Sequence, residues 1–156
     1  MAEATDRIAQ LEAEEAGLVL TGFDRRDAWE LGSRLARIAV EQGLPVVVDI
    51  RTSTGILFHA SLPGATADND SWVEKKSRTA LRFELSTALL TAQAERDDIP
   101  FLSPGWLDPA VYTLAGGAVP IRVAGVGVVA VATVSGLASD VDHQLVVDAV
   151  RELAGA

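Results

Sequence analysis

The stretch Val126–Val134 constrains this chain more than any other. Val126, Val128, Val129, Val131 and Val134 place apolar side chains on both faces of any strand they form. A strand with one wet face alternates apolar and polar residues, so this one needs cover on both sides. Ala118–Val123 precedes it across Gly125, and the two read as a hairpin. A tight hairpin makes the sheet antiparallel, and helices must supply the cover.

A second hairpin is written into Val46–Arg51 and Ile56–Leu62. Val46, Val48 and Ile50 alternate with Val47, Asp49 and Arg51; Ile56, Phe58, Ala60 and Leu62 alternate with Leu57, His59 and Ser61. Burying both apolar sets together requires even-numbered residues opposite even-numbered ones. A three-residue loop, Ser53–Gly55 with Gly55 left-handed, meets that parity. It sets Asp49 directly across from His59.

The helices fill the remaining chain. Thr5–Glu15 reads as a short helix with Ile8 and Leu11 on its apolar side, and Leu18–Leu20 as a brief strand or a connection. Asp24 is a good cap for a helix burying Ala28, Leu31, Leu35, Ile38 and Ala39, which Gly43 and Pro45 end. Pro63, Gly64, Asp68, Asn69 and Asp70 mark a loop. Ser71 and Glu74 form an S-x-x-E capping box, opening one long helix that runs on through Ala92. Glu95–Ala110, punctuated by Pro100, Pro104 and Pro109 around Phe101 and Trp106, reads as a structured loop. Asp108-Pro109 opens a short turn through Tyr112, and Gly116-Gly117 breaks it. Ser139 or Asp140 caps a last helix burying Val146, Ala149, Val150 and Leu153. No repeat or second domain is visible: residues 1–156 read as a single domain, with a short N-terminal helix in 1–16.

Composition narrows the function. Hydrophobic residues make up 49% of the chain and the mean hydropathy is +0.24, an apolar surplus that subunit contacts could bury. No apolar run approaches the ~20 residues of a membrane span, and MAEATDRIAQLEAEE is not a signal peptide. The expectation is a cytoplasmic protein without membrane insertion. A net charge of −9 and pI near 4.6 argue against nucleic-acid binding, which needs a basic surface. Without cysteine there is no disulfide, thiolate nucleophile or thiolate metal site.

Chemistry concentrates in Leu57–Arg82. Four of the thirteen basic residues lie between Lys75 and Arg82. Lys75, Arg78 and Arg82 share one helical stripe, either a solvated or intersubunit face or an anion site. His59, facing away from Phe58 with Asp49 opposite, is a satisfied sheet histidine or an oriented ligand. Asp140 and Asp142 beside His143 are either a cap and a dipole partner or the orienters of a ligand or proton donor. Gly116-Gly117 lets a ligand approach the backbone, or makes a sharp turn. Gly125-Val-Gly127-x-x-Ala130 matches a dinucleotide fingerprint only superficially, because a strand and not a helix follows it. Nor is there a P-loop, an H-E-x-x-H or a G-x-S-x-G.

Three stretches, LFHASLPGATADNDSWVEKKSRTALRFE, AGGAVPIRV and TVSGLASDVDHQLVVDAV, resemble the uncharacterised (UPF) branch of the haem-degrading-domain superfamily. That superfamily includes HbpS-like and GlcG-like proteins and the C-terminal domain of PduO-type adenosyltransferases. The likeness runs roughly from Pro45 to Leu153. It implies an α/β (α+β) fold, a profilin-like GlcG-type α/β/α sandwich with a five-stranded antiparallel sheet, and a homo-oligomer. Matching positions are His59, Asn69, Asp70, Trp72, Lys76, Gly116, Gly117, Pro120, Ser135, Gly136, Asp142 and His143. Two positions depart: Leu114 stands where relatives often carry histidine, and Ala67 where proline is usual.

The resulting expectation is a haem- or small-molecule-binding protein whose site lies near a subunit interface. Its ligand-binding set is His59, Lys75, Lys76, Arg78, Arg82, Gly116, Gly117, Asp142 and His143. If haem is the cofactor, His59 or His143 ligates the iron: cysteine is absent, and the chain has one methionine and one tyrosine. Asp49 or Asp142 would orient that imidazole. The alternatives are an oligomeric, chaperone-like scaffold without cofactor and an enzyme using His143 with Asp142.

Overall fold

The computed structural model describes residues 2–103 and 106–155; Pro104, expected in the loop, lies outside them. In chain order the elements are α1 (Ala2–Ala16), α2 (Arg25–Gln42), β1 (Val47–Arg51), β2 (Ile56–Ser61), α3 (Ala67–Phe83), α4 (Thr87–Asp97), β3 (Ala118–Val123), β4 (Gly127–Ser135) and α5 (Ser139–Gly155). The strands form one antiparallel sheet in the order β2-β1-β4-β3. The fold is therefore α+β, with five helices and four strands among the described residues. The expected fifth strand shrinks to a single parallel bridge, Leu20 beside Val123. Its two hydrogen bonds run from Leu20 N–H to Arg122 O and from Ala124 N–H to Leu20 O.

Both sheet faces are covered, as the double-faced β4 requires. On one face Val48, Ile50, Val119, Ile121, Ala130, Ala132 and Val134 pack against Ala28, Leu31 and Leu35 of α2 and Val146, Ala149 and Val150 of α5. On the other, Ala80 and Leu81 of α3 meet Ala118 and Val131. Helix α1 lies on α4 through Ile8, Leu11 and Leu89. Residues at the centre of this sandwich are fully buried, and each such aliphatic side chain is worth about 1.5–3 kcal/mol of transfer free energy.

The β1–β2 parity holds, by a different route from the expected one. Val48 pairs with Ala60, Asp49 with His59 and Ile50 with Phe58, but Arg51 pairs with Ile56 across a register shift. A four-residue connection and a bulge at Leu57 thus replace the three-residue loop. Thr52 organises the connection, its hydroxyl accepting from the N–H groups of Thr54 and Gly55. Gly55 is accordingly absent from the positive-φ glycines.

Three helix boundaries differ from the sequence reading. Helix α3 starts at Ala67, four residues before the Ser71–Glu74 box, behind the cap Thr66, whose N–H donates to Asn69 Oδ1 at 2.9 Å. Asp68 and Asp70 then sit in the first turn, where the helix dipole favours them. The long helix breaks at Glu84, which is left-handed (φ 56). Ser86 caps the new helix α4 through Leu89 N–H. Its own N–H is taken by the buried Glu15 of α1 at 2.9 Å, a long-range contact that no local pattern announces. Finally, α5 begins at Ser139 itself, so neither Ser139 nor Asp140 precedes it as cap. The cap at Asp24 stands as expected, exchanging hydrogen bonds of 2.9 Å with Asp27.

Helix α2 approaches the sheet closely at Gly32, where a Cβ would lie 2.3–2.7 Å from ring carbons of Phe58. Helix propensity alone makes Gly→Ala favourable by up to about 1 kcal/mol. The clash should reverse the sign: Gly32→Ala is expected to destabilise the fold by about 1–3 kcal/mol, read as a lower urea midpoint at unchanged slope.

Candidate functional site

Helix α3 crosses the polar face of the sheet and divides its chemistry between two flanks. Toward the β1–β2 hairpin lies a histidine network. His59 Nδ1 bonds Asp49 Oδ2 at 2.7 Å, and its Nε2 bonds Asp70 Oδ1 at 2.8 Å. Asp49 is fully buried and receives a two-pronged bond from Arg51, Nε and Nη2 each at 2.7 Å. Carboxylates only accept, so both ring nitrogens must donate and His59 is held as the imidazolium. Burial works against that charge, but the hydrogen bonds and charges of Asp49 and Asp70 outweigh it and raise the pKa. The cross-strand Asp49–His59 contact is the one the strand parity predicts. Asp70, brought over the hairpin by the early start of α3, was not among the expected ligands.

Toward β4 and α5 lies a cleft of about 290 Å³, lined by Asn69, Trp72, Lys76, Ser135, Ser139 and Asp142 among others. Lys76 is 3% exposed and Asp142 1%. Lys76 Nζ donates to Asp142 Oδ2 at 3.1 Å and to Val134 O at 3.2 Å. Asp142 also accepts from the N–H groups of Gly136 (3.3 Å) and Leu137 (3.1 Å). Burial pushes the Lys76 ammonium pKa down against the pull of Asp142. It likewise pushes the Asp142 carboxyl up, against Lys76 and the two N–H groups. Glycine is required beside this pair. Gly117 has φ +136, and a Cβ there would stand 2.4 Å from Val134 O and 2.8 Å from Lys76 Nζ. At Gly116 a Cβ would meet Ser139 O at 2.8 Å.

The expected ligand set is thus partly assembled and partly scattered. Lys76 and Asp142 line the cleft with Gly117 packed against both, while Gly116 lines a neighbouring hollow with Arg7 and Ser139. His59 belongs to the other flank. Arg78 lines a separate hollow of about 360 Å³ with Arg51 and Glu74, and donates to Val111 O. Lys75 sits over the Trp72 ring at 5.2 Å. Arg82 donates to the Tyr112 hydroxyl and stacks among Phe83, Trp106 and Tyr112 at 5.2–5.6 Å. The basic stripe therefore serves three different places. His143, 1% exposed, turns away from Asp142: its Nε2 meets Glu14 of α1 at 2.6 Å, and its buried Nδ1 has no partner. The expected Asp142–His143 orientation is replaced by Glu14–His143.

A haem iron needs a nitrogen lone pair facing a cavity. His59 has both nitrogens engaged as donors, and His143 is enclosed between α5 and α1. Among the described residues no group of three or more His, Asp and Glu side chains is arranged to hold a metal ion. The residues as placed do not fit iron ligation.

A four-stranded antiparallel sheet covered on both faces by helices defines an α+β domain, here with a small polar cleft at the ends of two helices. Residues 23–151 match the family model described as haem degrading protein HbpS-like. A UPF0303 protein of Streptomyces coelicolor is 42% identical over 148 residues, covering 95% of this chain and 94% of that protein. Among solved structures, the Ybr137w protein matches with a TM-score of 0.83 at 29% identity, covering 95% of this chain and 87% of that one. HbpS matches at 0.65 and 22%, covering 87% and 92%. The chain belongs to the HbpS-like family, within its UPF0303 relatives.

Because the folded-state pKa of His59 is raised, its network stabilises the protein fully below the unfolded imidazole pKa of about 6.5. That contribution fades as pH rises through the higher folded value. With two histidines in the chain, the ring resonances are readily assigned by NMR. His59 should titrate above the ordinary range and fall back toward it in Asp70→Asn.

Proposed function

We propose that the protein binds a small molecule carrying an anionic group in the cleft between α3 and the β4–α5 turn. One observation carries this reading: a lysine 3% exposed forms part of the wall of an open cleft. Asn69 in the first turn of α3 and Ser139 at the start of α5 line the same space. Both helix starts border the cleft, and their free N–H groups add to Lys76 in favouring an anion, against the first-turn carboxylates Asp68, Asp70, Asp140 and Asp142. Pockets for drug-sized ligands run about 300–1,000 Å³, so a cleft of about 290 Å³ suits a metabolite of few heavy atoms. Haem enters through the family's description, but neither histidine supports it as iron ligand.

Titration with acetate or glyoxylate should move amide resonances within residues 69–76 and 135–142, and Lys76→Met should abolish the shifts. Shifts scattered elsewhere would defeat the reading. Haemin is the comparison ligand. A shifted Soret band lost in His59→Ala or His143→Ala would restore the haem reading in its place.

A second reading, self-association as a scaffold, is supported by large apolar side chains left in water. Trp29 is 65% exposed, Trp106 52% and Val126 71%. A stable pair of subunits buries about 1,200–2,000 Å² in total, an area these residues could anchor. Light scattering should then give a mass well above 16.4 kDa, and a monomer at micromolar concentration would reject it.

A further inference from the structure

We propose that Lys76 is a carbonyl-capturing amine, which forms a reversible imine with an aldehyde or keto group of a small carboxylate in the cleft, with Asp142 as its proton carrier. The inference rests on the small-ligand reading above and names the ligand's chemistry.

The geometry around Nζ is the first support. An ammonium has three N–H donors, yet Nζ meets two acceptors, Asp142 Oδ2 and Val134 O. One tetrahedral position on the nitrogen is left over, in a side chain that helps line the cleft. Gly117 keeps that nitrogen uncrowded, since any Cβ there would press on it at 2.8 Å. The second support is the pair's electrostatics. Burial drives the lysine pKa down and the carboxyl pKa up. Both shifts lower the cost of moving the proton from Nζ to Asp142, the step that would expose a nucleophilic amine beside a carboxylic acid. The third support is position. Asn69 at the start of α3 and Ser139 at the start of α5 line the cleft with Lys76, so polar groups there can hold a ligand carboxylate while an adjacent carbonyl carbon faces Nζ.

The step balances within these groups. Nζ forms a C–N bond to the carbonyl carbon as the C=O π pair moves onto oxygen, which takes the proton of Asp142. The now cationic nitrogen returns a proton to Asp142, which passes it to the new hydroxyl. The C–O bond breaks, water leaves, and an iminium remains against the Asp142 carboxylate. Amine, carbonyl and the Asp142 proton become iminium, water and the Asp142 carboxylate, and nothing is oxidised or reduced.

The chain offers a built-in control, because Lys75 and Lys76 are its lysines. Lys75 lies on the outer side of α3 against Trp72, so an unselective reagent should prefer it and the N-terminal amine to a buried neighbour. The test is incubation of the full chain with glyoxylate and sodium cyanoborohydride, which delivers hydride to the iminium carbon and fixes it as a secondary amine. Peptide mass spectrometry then locates the label. The expected result is label on Lys76 in preference to Lys75, lost in Lys76→Arg, which keeps a cation for Asp142, and slowed in Asp142→Asn. Circular dichroism confirms that each variant is folded. If Lys76→Arg does not fold, protection of wild-type Lys76 from glyoxylate labelling by excess acetate serves in its place. Label on Lys75 and the N-terminus alone, with glyoxylate-induced amide shifts at the cleft intact, would overturn the covalent step and leave small-ligand binding standing. Absence of both label and shifts would overturn both.

Discussion

The buried pair Lys76–Asp142 is the contact on which the two helical layers depend. Lys76 comes from α3, on one face of the sheet, and Asp142 from α5, on the other. They meet at the end of β4, where Lys76 also holds Val134 O and Asp142 gathers the N–H groups of Gly136 and Leu137. A buried ion pair contributes little net stability against an apolar pair of equal volume, while breaking one costs about 3–5 kcal/mol. The contact is better understood as fixing an arrangement. It sets how far α3 lies from the β4–α5 turn, and that separation is the cleft. The constraint extends to the backbone: Gly136 has φ +148, and a Cβ there would strike Pro45 O at 2.4 Å.

The histidine network shows a different use of polar burial. Asp49 is a full charge in the sheet interior, which is tolerable only with complete pairing. Arg51 and His59 provide it from the same strand and the neighbouring one. Asp70 then ties His59 to the first turn of α3, fastening that helix to the hairpin. On the other flank Lys76 fastens it to α5. Helix α3 is therefore anchored by charge on both sides and by Ala80 and Leu81 beneath. Its N-terminal half is thus held from both flanks, a suitable place for a preorganised site.

Family membership and local geometry carry different weights here. The match over residues 23–151 establishes the family and its fold. It does not transfer a ligand, because the histidines that a haem reading would use are both committed to carboxylates. In one fold, small changes of side chain can redirect a site, and function follows the constellation present.

Much of the architecture was legible in the sequence because it rests on local periodicity. The double-faced valine run placed β4 at the centre of the sheet, and the alternation in the first hairpin set Asp49 opposite His59. Asp24 and Gly43 marked the ends of α2 by capping chemistry alone. What failed were boundaries settled by distant partners. The break at Glu84 has distant partners on both sides, Arg122 at the Glu84 carbonyl and Glu15 at the Ser86 N–H across 71 positions, and the early start of α3 turned Asp68, Asn69 and Asp70 from loop into first turn. The candidate residues divide in the same way. Lys76, Gly116, Gly117 and Asp142 were visible as residues, but periodicity could not say that Lys76 turns inward while Lys75 and Arg82 turn outward to aromatic rings. Nor could it reveal that Glu14, not Asp142, holds His143. The sequence by itself determined which elements form and which faces they bury, since those depend on neighbours a few residues apart. Only the tertiary structure decided which charges meet, because burial makes an ion pair's partner a matter of packing and not of spacing.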